Sequence, residues 1–271
     1  WWRTPTVSNA TEEYNGTAWT GGGTLGTSRY QLAGAGTQTA GLAFGGRSPT
    51  TAGTEEYNGT SWTAGNNMNT ARYGLGGAGT QTAGLAFGGE TTTPLANTEE
   101  YDGASWTTGG NLNTARHNFT GCGIQTAALA FGGAPASAAT ELYNGTSWSS
   151  TLSMATARRL LGGAGTQNAG LAFGGNTGTA NTAVTEEYNF SASVITPGAW
   201  TSGANTNTPN AYVASAGTQT AAIVAGGQPS NPSVEEYNGA SWTNVTSLGT
   251  PRTQLASTGT QTAFLAIGGY T

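Results

Sequence analysis

Two residue types recur along this chain in a pattern that could do chemistry: paired carboxylates and single arginines. Glu-Glu-Tyr begins at Glu12, Glu55, Glu99, Glu186 and Glu235, and the variant Glu-Leu-Tyr at Glu141. Eleven of the twelve glutamates lie in these motifs; Glu90 is the exception. Arg29, Arg72, Arg116, Arg158 and Arg252 each stand nine residues before a Gln, and in the fifth repeat Asn210 takes that place. Opposite charges repeated in step suggest ion pairs inside or between repeating units, because a buried charge must be paired. Such pairs are bidentate where geometry permits. The alternative is a ligand site in which the five arginines, without a sixth at Asn210, capture an anion.

Catalysis has little to draw on. His117, Cys122 and Asp102 are each the only residue of their kind. A Ser-His-Asp triad would have to use these single copies, and His117 simply follows Arg116 at the start of a strand. Metal sites need clustered His, Cys or carboxylate ligands, and only the Glu pairs are plentiful. A Walker-type phosphate loop needs a Lys, and all eight basic residues are Arg. The expectation is a non-enzyme with no metal and no cofactor.

Composition narrows the partners. The formal charge is -5 and no basic tract exists, which argues against nucleic-acid binding through phosphate neutralisation. No apolar stretch approaches the ~20 residues that span a bilayer, so no membrane insertion is expected. A single cysteine allows no internal disulfide. Neither an initiating Met nor a signal peptide is visible, and Trp1 reads as the start of a processed or trimmed product. Gly supplies 45 of 271 residues, well above the ~7% average. With 8 Trp, 10 Tyr and 7 Phe at regular intervals, that excess reads as turns in a repetitive β-fold and not as disorder, which is poor in aromatics.

The elements that position these groups follow from internal repetition. The motif tyrosines are Tyr14, Tyr57, Tyr101, Tyr143, Tyr188 and Tyr237. Gly-Thr-Gln-Thr-Ala occurs at Gly36, Gly79, Gly217 and Gly259, with variants at Gly123 and Gly165. An apolar run ending in a Gly pair follows each. In one repeat, Tyr73 to Gly79 reads as a small-residue strand and Ala83 to Phe87 as a buried strand. Glu99 to Tyr101 is a third strand, Asp102-Gly103 a hairpin turn, and Ser105 to Thr107 a fourth. Four short strands per repeat make a propeller blade.

A Gly pair, a Glu-x-Tyr strand, a Trp and then an Arg before the next strand resemble the Kelch repeat. The resemblance covers nearly the whole chain, six times, and implies an all-β, six-bladed β-propeller with four antiparallel strands per blade. It does not imply one function. It does imply that Trp19, Trp62, Trp106, Trp148, Trp200 and Trp242 pack between blades, although aromatic faces also suit sugar rings. Trp1 and Trp2 fall outside the pattern. Galactose oxidase is a Kelch enzyme, but its copper chemistry needs more than one histidine; sialidase propellers need Asp-box turns that are absent here. Tyr to Trp is five residues in five repeats, but Tyr188 to Trp200 spans twelve in the fifth.

The chain starts with third and fourth strands, around Tyr14 and Trp19, and ends with first and second strands, Thr253 to Thr258 and Thr262 to Ile267. Pairing these ends completes a sixth blade and removes open edges. Residues 1–271 therefore read as one domain, with 1–10 as a lead-in. Asn-x-Ser/Thr sequons begin at Asn9, Asn15, Asn58, Asn118, Asn144, Asn189 and Asn244; three are Asn-Gly-Thr, which turn chemistry explains first.

Function should lie where near-identical repeats differ. The loops after the Gly pairs diverge most: 47–53, 90–97, 134–139, 176–184 and 228–233. They are nearly uncharged and rich in Thr, Ser, Asn, Pro and Gly, which suits sugars or shallow protein contacts. In Kelch propellers these loops share a face with the Arg positions. The insertion 190–197 carries Phe190, Val194 and Ile195, a candidate docking knob or a plain long hairpin. The phrases Glu-Glu-Tyr-Asn-Gly-Thr-Ser-Trp and Ala-Gly-Thr-Gln-Thr-Ala-Gly-Leu-Ala-Phe-Gly-Gly are similar to Kelch-repeat virion proteins of marine bacteriophages. That resemblance implies an extracellular or virion protein, either an adhesin for a cell-surface glycan or protein or a structural subunit contacting other virion proteins. A third expectation is an adaptor for acidic peptides at an arginine-lined mouth.

Overall fold

The computed structural model describes residues 6–190 and 198–271. Its strands form six four-stranded antiparallel sheets, numbered here as blade 1 (33–65), blade 2 (76–109), blade 3 (120–151), blade 4 (162–203), blade 5 (214–245) and blade 6 (256–267 with 11–21). In blade 1 the order from the axis outward is Ala33–Thr37, Ala40–Phe44, Thr54–Tyr57 and Trp62–Gly65. Blade 6 is the closure: Thr11–Tyr14 pairs with Ala263–Ile267 and with Trp19–Gly21. The ring therefore has no open edge at the chain ends.

Composition follows radius. The inner strands converge on the axis and are built from Gly, Ala and Ser. A Cβ on Gly34 would stand 2.7 Å from the carbonyl oxygen of Ser257, and one on Gly77 2.9 Å from that of Gly34. The second strands carry the apolar run: Leu42, Ala43 and Phe44 are fully buried. Each such Leu or Phe contributes about 1.5–3 kcal/mol by leaving water. The core is shared between neighbours, since Leu42 and Phe44 of blade 1 pack with Tyr101 and Trp106 of blade 2.

Three side chains per repeat bind one blade to the previous one. Trp106 Nε1 donates to Thr54 Oγ1 at 3.0 Å, while its ring lies 4.9 Å from Tyr101 and 5.1 Å from Phe44. Tyr101 OH donates to Glu56 at 2.5 Å. Gln125 Nε2 donates to the carbonyls of Gly84 and Tyr101. Exceptions match substitutions in the partner blade. Leu142 stands where a Glu would receive Tyr188, whose hydroxyl meets Thr151 instead. Val234 replaces the Thr that would receive Trp19, and the indole donates to the Thr246 carbonyl.

Four sequence expectations need correction; in blade 6 the strands are Ala256–Thr260 and Ala263–Ile267, not 253–258 and 262–267. The first strand of blade 2 is Gly76–Thr80, not 73–79, because Gly74 has a left-handed φ of +61° that interrupts it. The fourth is Trp106–Gly109. The long hairpin and Asn210 fall in neighbouring blades: Tyr188 shares a sheet with Gly162–Gly165, whereas Asn210 leads into blade 5. Within the insertion, Phe190 is 40% exposed; Val194 and Ile195 lie outside the described residues, as do Trp1 and Trp2.

Candidate functional site at the channel mouth

The repeat arginines are inside the blades. Arg29, Arg72, Arg116, Arg158 and Arg252 are 0–2% exposed and pair with Glu55, Glu99, Glu141, Glu186 and Glu12 at 2.6–3.0 Å. Each also donates from its other terminal nitrogen to two backbone carbonyls, as Arg72 does to Gly88 and Asn97. Burial pulls the Arg72 guanidinium pKa down to about 10 while Glu99 holds it up. With both ends committed and water excluded, these groups line no solvated mouth. The arginine-ring expectation gives way to the paired one, and Asn210, 8% exposed, is likewise turned inward onto the Gly226 carbonyl. The six repeat tyrosines are buried, and Trp106, Trp148 and Trp242 are 5–6% exposed, so they act as packing. Cys122 is sealed, and burial pushes its thiol up to about 12.

The remaining chemistry gathers at one place. Just after each repeat Arg, the chain enters a ring of backbone hydrogen bonds around the axis. Gly74 N–H donates to the Gln31 carbonyl, Asn118 to Gly74, Leu160 to Asn118, Tyr212 to Leu160, Gln254 to Tyr212, and Gln31 back to Gln254, at 2.7–3.0 Å. All six residues have φ between +53° and +61°. Five of them are not Gly, and left-handed backbone costs such residues about 1–2 kcal/mol each. The ring holds them there, and its side chains surround a mouth cavity of about 150 Å3 lined by Gln31, Asn118, Leu160, Tyr212 and Gln254.

A belt of cross-chain pairs surrounds this ring. Tyr30 pairs with Arg47, Tyr73 with Glu90, His117 with Ala134, Arg159 with Asn176 and Thr253 with Tyr270; Gln228 donates to the Ala211 carbonyl in blade 5. The first partner follows the repeat Arg and the second follows the Gly pair. All four tyrosines outside the motifs (Tyr30, Tyr73, Tyr212 and Tyr270) are therefore at the mouth. So are Arg47, Arg159, Glu90 and His117. The Arg47 guanidinium lies 4.4 Å from the Tyr73 ring and 5.9 Å from Tyr30, and Tyr30 is 5.5 Å from Tyr270. His117 Nε2 is 3.3 Å from Glu90. Burial raises the Tyr73 phenol pKa, Glu90 adds to this, and Arg47 opposes it.

The mouth also carries unpaired polarity. Apart from the five repeat-arginine Nε atoms and one oxygen of Glu236, the buried side-chain polar atoms without a partner among the described residues are Gln31 Oε1, His117 Nδ1, Arg159 Nε and Thr253 Oγ1. Buried polar atoms are normally satisfied, and these four have hydrogen-bonding capacity that the described residues do not use. The variable loops rise around it, since Arg47, Glu90, Asn176 and Gln228 each begin one. The opposite end carries the tight turns. There Asn58 Oδ1 accepts the N–H groups of Thr60 and Ser61, which accounts for the Asn-Gly-Thr sequons as turn chemistry. Among the described residues, no group of three His, Cys, Asp or Glu lies close enough to share a metal ion.

Sequence reasoning found the loops but missed the belt and the ring. The signal was available: the two positions after each repeat Arg, and the one after each Gly pair, change identity while their neighbours repeat.

No protein-family model matches the chain, and no curated protein matches it. Among solved structures, that of YjhT is similar, with a TM-score of 0.74 and 13% sequence identity, covering 89% of this chain and 90% of that one. At that identity the likeness shows the fold alone. The chain is a six-bladed β-propeller with a Kelch-like fold.

Proposed function

We propose that this propeller is a non-enzymatic recognition module that binds a cell-surface glycan through the mouth face, as an extracellular or virion-associated protein. The observation that carries this is the segregation of chemistry. Residues that repeat are consumed in building and joining blades, and residues that do not repeat meet on one rim. That rim combines half-buried tyrosines, amide side chains and unpaired buried polar atoms. Such groups suit hydroxyl-rich ligands, which need apolar ring contact and many neutral hydrogen bonds. The non-enzymatic reading is supported by the lone cysteine, Cys122, being sealed in the core. The virion reading rests on the style of the repeat phrases.

The test is binding of the labelled chain to a glycan array and to candidate host cells. Saturable binding is expected, weakened at least about tenfold, or ~1.4 kcal/mol, in Tyr73→Ala plus Tyr212→Ala and in variants with 90–97 and 176–184 shortened. Folded protein that binds no glycan and no cell would overturn the reading and favour a structural subunit. Loss of binding only on changes to the opposite face would overturn its placement.

A further inference from the structure

Blade 5 departs from the other five at the one position where each of them buries a cation. In those blades the arginine donates to the carbonyl of the first glycine of the Gly pair at 2.8–3.2 Å. It donates also to a carbonyl at the end of the following loop, such as Gly53 or Val184, and to the motif carboxylate. Blade 5 has Asn210. Its Nδ2 reaches the first of these acceptors, Gly226, at 2.6 Å, while its Oδ1 accepts the N–H of Ala211. Asparagine is too short to go further. The Ser233 carbonyl and Glu235, which is 3% exposed, therefore have no cationic side chain against them among the described residues. Glu235 keeps two backbone donors, Asn207 at 2.7 Å and Thr208 at 3.2 Å, as Glu99 and Glu186 do.

A second substitution falls on the same spot. Leu25, Met68, Leu112, Met154 and Leu248 occupy one apolar position in the loops that enter the other blades, and Met154 Sδ lies 4.0 Å from the Arg158 guanidinium. In blade 5 that position is Thr206, whose hydroxyl has the Thr208 and Ala183 carbonyls as acceptors and keeps acceptor capacity of its own. Thr206, Thr208, Asn210, Ser233 and Glu235, together with the apolar Val213 and Val224, line a cavity of about 10 Å3, about the size that accommodates one water-sized group. Cation and apolar neighbour are thus lost together, and the oxygens of Thr206, Ser233 and Glu235 share what remains with Val213 and Val224.

We propose that blade 5 takes a small alkali-metal cation in the place a guanidinium fills in the other blades. The donor set is all oxygen, which suits a hard ion. One carboxylate balances one positive charge, whereas divalent ions in protein sites usually draw on more carboxylates or on phosphate. The buried Glu235 charge would otherwise stand uncompensated, a costly arrangement. Glu235, the Ser233 carbonyl and Thr206 Oγ1 are the ligating oxygens. This site is independent of any ligand at the mouth.

Thermal unfolding of the full chain in sodium, potassium or tetramethylammonium chloride at equal ionic strength tests it. Sodium or potassium should raise Tm saturably, by roughly 3 °C or more at tenfold excess over Kd, and comparison of the two salts identifies the preferred ion. Asn210→Arg and Glu235→Gln should each abolish the ion-specific part. Equal Tm in all three salts, or an ion-specific rise undiminished in Asn210→Arg, would overturn the proposal. If either variant fails to fold, the sodium NMR linewidth of the native chain serves instead. Broadening that potassium reverses supports the site, and a linewidth equal to that of protein-free buffer refutes it.

Discussion

The blade walls and the mouth rim use the same amino acids to opposite ends. In the walls, Arg pairs with Glu inside one blade while Tyr, Trp and Gln reach the neighbouring blade, and where a partner changes the residue finds another, as Tyr188 and Trp19 do. At the rim, Arg47, Tyr73, His117 and Gln31 are half-buried or exposed and partly unpaired. The difference is one of constraint. A wall residue answers to a fixed partner in its own blade or the next, so its identity is copied with the repeat. A rim residue answers only to its own backbone pair, so it can vary without opening the ring. A titratable or aromatic side chain in this chain is therefore informative about binding chiefly when it does not repeat.

The sharpest way to break this contrast is to remove a wall cation. Arg72→Ala would strand Glu99, 2% exposed, beside an empty slot, and would leave the Gly88 and Asn97 carbonyls short of a donor. Breaking a buried pair from one side costs about 3–5 kcal/mol, so urea unfolding should show a loss of that size. A loss under ~1 kcal/mol would mean that the pair is not sealed and that the arginines are open to ligands after all.

A smaller effect separates two tyrosines that look alike in sequence. Tyr101 donates to the Glu56 carboxylate, whereas Tyr188 meets the neutral Thr151 hydroxyl. Hydrogen bonds to charged groups contribute about 1.5–3 kcal/mol and neutral ones about 0.5–1.5. Tyr101→Phe should therefore destabilise the chain more than Tyr188→Phe when both are unfolded in urea. Equal losses would show that the carboxylate adds nothing and that packing alone fixes both rings.

Much of this architecture was legible in the sequence because repetition amplifies weak signals. The phase of Tyr14 and Ile267 is enough to place the closure, and the step between arginines and glutamates allows their pairing. What stayed hidden depends on backbone conformation. Nothing in the letters Gln31, Leu160 or Tyr212 announces a left-handed residue, since such positions normally favour Gly. Here only Gly74 conforms, and the hydrogen-bonded ring imposes the geometry on the rest. The same ring cuts the inner strand of blade 2 short at Gly76. Sequence spacing also could not show that the arginines point into the blades, because a rim and a wall lie one residue apart, at Arg29 and Tyr30.

That one-residue step gives the mildest test. Arg47 is exposed and stacked over Tyr73, with no ion pair among the described residues. Cation–π contacts at exposed sites contribute about 0.5–1 kcal/mol, so Arg47→Ala should cost no more than that in urea unfolding. Arg47→Lys keeps the charge but gives up the planar stack, and should fall between the two. The ratio matters more than either value, because Arg47 and Arg72 carry the same group and differ only in whether the fold consumes it. If Arg47→Ala destabilised the chain as much as Arg72→Ala, the rim would belong to the framework. Its variability would then need a structural cause in place of a binding one.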